Sequence, residues 1–135
     1  MKKNLIRHLY VLLLLLACFI ISSAFTQPKQ QVINATISGY PPFTCSSTSN
    51  MPIGATGGLL TIVKTTDNTD QELNKALKSG ATINSIDIIY YKKSAKGQLI
   101  KTQAFHFAKL LVKSVEPNVN QTTAISFSYA TMAKD

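Results

Sequence analysis

Chemistry in this chain would have to be built from few parts. Beyond the N-terminal segment, His106 is the only histidine, Cys45 the only cysteine, and Asp67, Asp70, Glu72, Asp87, Glu116 and Asp135 the only side-chain carboxylates. A metal centre needs clustered His, Cys or carboxylate ligands, and one histidine with one distant cysteine does not supply them. A Ser-His-Asp arrangement would have to use His106. It lies mid-strand between Phe105 and Phe107, the setting of a partly buried structural histidine rather than of a general base. Asp70 and Glu72 are accounted for by the start of a helix. Gly54, Gly57 and Gly58 lack the following Lys-Ser and the strand-to-helix context of a phosphate-binding loop. A reactive thiol needs a cation or a helix N-terminus beside it, and the residues flanking Cys45 provide neither. The sequence therefore predicts no catalytic, cofactor-binding or metal-binding residue, no small-molecule substrate and no enzyme.

The elements that would position these residues occupy only part of the 135-residue chain. Lys2, Lys3 and Arg7 precede an unbroken apolar run from Leu9 to Ile21. That run is long enough for the core of an export signal and short of the roughly 20 residues needed to span a bilayer. Ser22-Ser23-Ala24 then offers small residues for a cut after Ala24, so residues 1–24 read as a bacterial signal peptide. Two other outcomes stay open: lipidation of Cys18 in Leu15-Leu16-Ala17-Cys18, or an uncleaved anchor. Export places the protein in the periplasm or outside the cell. The two matches to the glycosylation sequon, Asn34-Ala35-Thr36 and Asn120-Gln121-Thr122, are then chance.

Residues 25–135 suffice for one domain and leave no room for a second. The formal charge of +8 falls to +5 without the leader, with eleven lysines against six acids. Those lysines form no dense run and carry no interleaved aromatic ladder, which argues against nucleic acid as a partner. A single cysteine cannot form an internal disulfide, so the domain must stand on its core.

Strand signals dominate that core. Ile33, Ala35 and Ile37 alternate with polar residues over 32–38, and Leu59–Thr65 resumes strand character. Between them, 39–58 reads as a long loop from Pro41, Pro42, Pro52, Gly54, Gly57, Gly58 and the run Ser46–Asn50. At that length it is mobile, functional, or conceals a short strand. Thr69-Asp70-Gln71-Glu72 has capping-box spacing, with Thr69 as the cap; Leu73, Ala76 and Leu77 give an apolar stripe, and Gly80 ends the helix. Ile83–Tyr91 is a strand, Lys93–Gly97 a hairpin turn, and Gln98–Val115 a long bent strand with apolar residues on both faces. A helix competes there, since Ala104, Ala108, Leu111 and Val115 also fall at helical spacing. After a polar connection containing Pro117, Ala124–Met132 closes the sheet through Ile125, Phe127 and Tyr129. Five or six strands and one short helix make a mainly β fold, a small sandwich or barrel.

The order strand, short helix, hairpin, long strand, polar loop, last strand resembles the haemolysin-coregulated protein family, Hcp, the tail-tube subunits of bacterial type VI secretion. The likeness spans Leu59 to Met132. It is carried by TDQELNKALKSG (Thr69 to Gly80), the strand Ile83 to Tyr91, FHFAKLLVKSV (Phe105 to Val115) and AISFSY (Ala124 to Tyr129). It implies a two-sheet β-barrel with a helix on one side and self-association into hexameric rings. The rings would stack into a tube able to hold small protein cargo or meet other secretion components, and the resemblance brings no catalytic residue. A cleaved leader is atypical of that family. The other reading is an exported binding module at the cell surface or in the periplasm, using loop 39–58 to hold a partner.

Overall fold

A computed structural model describes residues 31–53 and 57–135; the expected leader, with Cys18 and Ala24, and Gly54 lie outside the described residues. Six strands and one helix follow in order: β1 (Gln31–Ile37), β2 (Phe43–Ile53), β3 (Gly57–Thr65), α1 (Thr69–Ser79), β4 (Thr82–Lys93), β5 (Leu99–Pro117) and β6 (Thr122–Lys134). The strands close into an antiparallel barrel in the order β1-β2-β3-β6-β5-β4, with β4 pairing back onto β1. The mainly β barrel with one short helix is thus the fold the sequence implies, and of its two candidate architectures the barrel is the one that forms.

Alternation explains most of the wall. Ile33, Ala35 and Ile37 of β1, Leu60 and Ile62 of β3, Ile86 and Ile88 of β4, and Ile125, Phe127 and Tyr129 of β6 point inward and belong to one core cluster. Leu73 and Ala76 join that cluster from α1, which packs against β5 at the end of the barrel where β3 finishes and β4 begins. A helix of eleven residues is too short to persist alone, so this docking holds it in place.

Three readings are corrected. The segment 39–58 is not a long loop, because most of it is β2. That strand pairs with β1 through Ile33↔Cys45 and with β3 from Cys45↔Lys64 to Ile53↔Gly57. Only Cys45 of its eleven residues is fully buried, and a bulge between Cys45 and Ser47 breaks its pairing register, so no hydrophobic alternation marks it. The binding-module reading loses the loop it relied on.

The long strand, in turn, does not cover both faces along its length. Phe105 and Phe107 pack inward in its first half, whereas Leu110 and Val112 do so in its second. The inward parity changes at Lys109, whose φ of 55° is left-handed, and it changes at the same level on the partner strand, between Ile83 and Ile86 of β4.

The helix start is displaced as well. Thr69 is already helical and does not cap. The Asp67 carboxylate accepts the Thr69 N–H at 2.9 Å, and Asp70 reaches back to accept the Asp67 N–H at 3.2 Å. This is the reciprocal geometry of a capping box, shifted two residues upstream onto Asp67-Asn68-Thr69-Asp70. The other end follows expectation: Gly80 adopts φ +66°, and the Ala81 N–H returns to the Ala76 carbonyl at 3.2 Å.

Candidate functional site

His106 is not partly buried; it stands on the outer wall, about half exposed. Register places it opposite Asp87 on β4, and its Nδ1 lies 2.6 Å from Asp87 Oδ1. A carboxylate so placed orients an imidazole, yet among the described residues no hydroxyl or thiol bonds to the ring. The one thiol among the described residues, Cys45, faces the core instead. Burial pushes the Cys45 thiol up to about 11 and outweighs the opposing pull of nearby Lys64, so it stays protonated near neutral pH. Glu72 is engaged by Lys75 at 2.6 Å on the helix surface. Gly57 and Gly58 lie inside β3 and open no phosphate cradle. Gly58 sits beneath the Tyr129 ring, where an added Cβ would strike the tyrosine hydroxyl and the Met51 carbonyl oxygen.

The most organised polar constellation is one that inspection of the sequence did not isolate. Lys64 shares the inward parity of Leu60 and Ile62, and only 1% of its side chain is exposed. Its Nζ donates to Asp70 Oδ1 at 2.9 Å and to the Thr65 carbonyl at 2.8 Å, and lies 2.8 Å from Asp67 Oδ1. The Phe43 ring centroid is 5.3 Å away. Asp70 also accepts a hydrogen bond from Thr123 of β6 at 2.7 Å, and Thr123 in turn meets Thr66 at 2.9 Å. One ammonium therefore joins β3, the first turn of α1 and β6, and every hydrogen-bonding position it needs is filled. The parity of Lys64, with acids three and six positions on, is the signal that could have exposed it. Burial tends to raise the Asp67 carboxyl, but its hydrogen bonds to Lys64 and Thr69, with the Lys64 charge, outweigh this and hold it below its ordinary value of 3.8.

Concavities are modest. A small, partly open space of about 70 Å³ lies between β2, β3, β4 and β5 beside Asn50, Leu60, Tyr90 and Phe107. Above it the Thr48 and Tyr90 hydroxyls bond to each other, and Tyr129 donates to Asn50 at 2.6 Å. An open groove of about 580 Å³ runs from the β1–β2 turn to α1, past Tyr40, Pro41, Glu72, Ala76 and Ile83. Among the described residues no three His, Cys, Asp or Glu converge as metal ligands would. The contacts of Lys64, Asp70 and Thr123 hold the wall together where β3, α1 and β6 meet.

Comparison with known proteins bears on what such a wall is for. The family model described as type VI secretion system effector, Hcp, matches residues 44–135, and so reaches back through β2, upstream of the likeness read from the sequence. No curated protein matches the sequence. Among solved structures, Hcp1 from Salmonella typhimurium superposes with a TM-score of 0.66 at 17% identity, covering 77% of this chain and 86% of that one. The secreted protein Hcp3 from Pseudomonas aeruginosa gives 0.60 at 15% identity, over 78% of this chain and 97% of its own. The tube-terminating cap of the anti-feeding prophage gives 0.56 at 12%, over 81% and 89%. At such identities these likenesses speak to fold.

Proposed function

Since the chain belongs to the Hcp family of type VI secretion, we propose that it is a tube-type structural protein that works by joining copies of itself side by side into a closed ring of six. The observation that carries this reading is the family match, which takes in five of the six strands and the helix. A barrel whose strands are paired for most of their length suits a building unit, because it presents shaped, rigid faces to its neighbours. Stacked rings would enclose a bore for small protein cargo and would meet other components of a secretion apparatus. The apolar run Leu9–Ile21, behind Lys2, Lys3 and Arg7, sends the subunit across the inner membrane, so that assembly takes place in the periplasm or beyond it.

The test is native mass measurement and light scattering of the purified protein over a wide concentration range. A species of six chains is expected. A strictly monomeric species at the highest concentration overturns the ring.

A further inference from the structure

Charge is not spread evenly over the barrel. The ends of β4 and β6 and the starts of β1, β3 and β5 lie at one end, together with the far end of β2. That end carries Lys92, Lys93, Lys96, Lys101 and Lys134, all exposed, with Asp135 as its only acid among the described residues. Lys101 is 3.8 Å from Asp135, a loose contact. The same end holds large apolar side chains that the core does not take: Leu99 is 50% and Ile100 54% exposed on the hairpin bearing Lys92, Lys93 and Lys96, with Met51 and Ile53 on β2. Asp87 sits midway, whereas Asp67, Asp70, Glu72 and Glu116 cluster towards the opposite end, alongside Lys64, Lys75, Lys78, Lys109 and Lys113.

From this placement we infer that the lysine-rich end docks on the surface of an anionic lipid bilayer, with Leu99 and Ile100 entering the headgroup layer and the surrounding ammonium groups on lipid phosphates. Cationic side chains ringing exposed aliphatic ones are what an interfacial site requires. A second copy of the chain is a poorer match, because two such ends repel and the acids at the far end are balanced by lysines of their own. Chain direction agrees. β1 begins at Gln31 at this very end, and nine residues, Ser22–Gln30, separate it from the apolar run Leu9–Ile21. Fully extended they reach about 30 Å. Any copy that keeps that run is therefore tethered by the end that carries the lysines.

Co-sedimentation of the exported protein, without residues 1–24, tests this, with vesicles of neutral phosphatidylcholine and of the same lipid mixed with anionic phosphatidylglycerol. Binding should strengthen with the anionic fraction and weaken with added salt. At about fivefold per lysine, the neutralised variant K92Q/K93Q/K96Q should lose roughly 100-fold in partitioning onto anionic vesicles, and the charge-reversed K92E/K93E/K96E should lose more and fall to the neutral-vesicle level. L99S/I100S, altered only at exposed positions, should weaken binding to both vesicle types while keeping the wild-type melting temperature. Partitioning that ignores the anionic lipid, or that survives the three charge reversals, overturns the proposal. So does an L99S/I100S variant that dissociates an oligomer yet binds vesicles as before, since the patch would then belong to contacts between copies.

Discussion

At the scale of single residues, Lys64 separates two kinds of substitution. Replacing it by Met leaves Asp70 buried with no cation, and loss of one partner from a buried, hydrogen-bonded pair costs about 3–5 kcal/mol. The double variant K64M/D70N removes both charges and should recover part of that loss in urea unfolding; equal stabilities for the single and double variants would refute the coupling. Cys45 offers a second readout. Its thiol is buried and its protonation favoured, so labelling by a thiol reagent at neutral pH should proceed only as fast as the barrel opens, and should become immediate in denaturant. Labelling at the rate of a free thiol would contradict its placement. Sequence pattern succeeded for Ile33, Ala35, Ile37, Ile125, Phe127 and Tyr129, where alternation alone assigns a face. It failed for Lys64 because a lysine is almost never fully buried unless it is paired, and its partners Asp67 and Asp70 lie beyond the strand that carries it. It failed for His106 because flanking phenylalanines suggest cover, whereas in a strand they occupy the other face.

At the scale of elements, the helix start makes an exchange of roles testable. Asp67→Ala should cost about 1 kcal/mol by removing the cap, while Thr69→Ala should cost only a few tenths. The reverse order in thermal unfolding would restore Thr69 as the capping residue. Asp67 also fixes a pH dependence. Its folded carboxyl ionises below the ordinary 3.8, so the stability it contributes is complete above that value and fades as pH falls through the lower, folded one. The melting temperature of the wild type should therefore drop more steeply with acid than that of Asp67→Asn. On β5, the φ of 55° at Lys109 turns the inward face over. Lys109→Val places a β-branched side chain in that conformation and should destabilise by about 1 kcal/mol, whereas Lys109→Gly should be neutral or stabilising. Neither the two-residue shift of the cap nor the change of face was legible in the chain, since both depend on backbone angles that several sequences accommodate. β2 was invisible for a different reason: serine, threonine and asparagine pair as strands perfectly well when their neighbours supply the hydrogen bonds, but they leave no apolar signature.

At the scale of the whole molecule, order and type of elements carried most of the information, because α1 and the hairpin between β4 and β5 fix the path of the chain around the core. If copies join as proposed, mass action makes the melting temperature rise with protein concentration, and its independence of concentration over several decades would speak for a solitary barrel. Phe107, Phe127, Leu60 and their neighbours fill the barrel, and the space beneath the Thr48 and Tyr90 hydroxyls is about 70 Å³, enough for one or two water molecules. The described barrel is thus a filled body rather than a pipe. If copies stand in a ring, the width of the conduit is then fixed by how many of them form the circle and by the angle between neighbours, and a substitution deep in the core can weaken one barrel without changing the gauge.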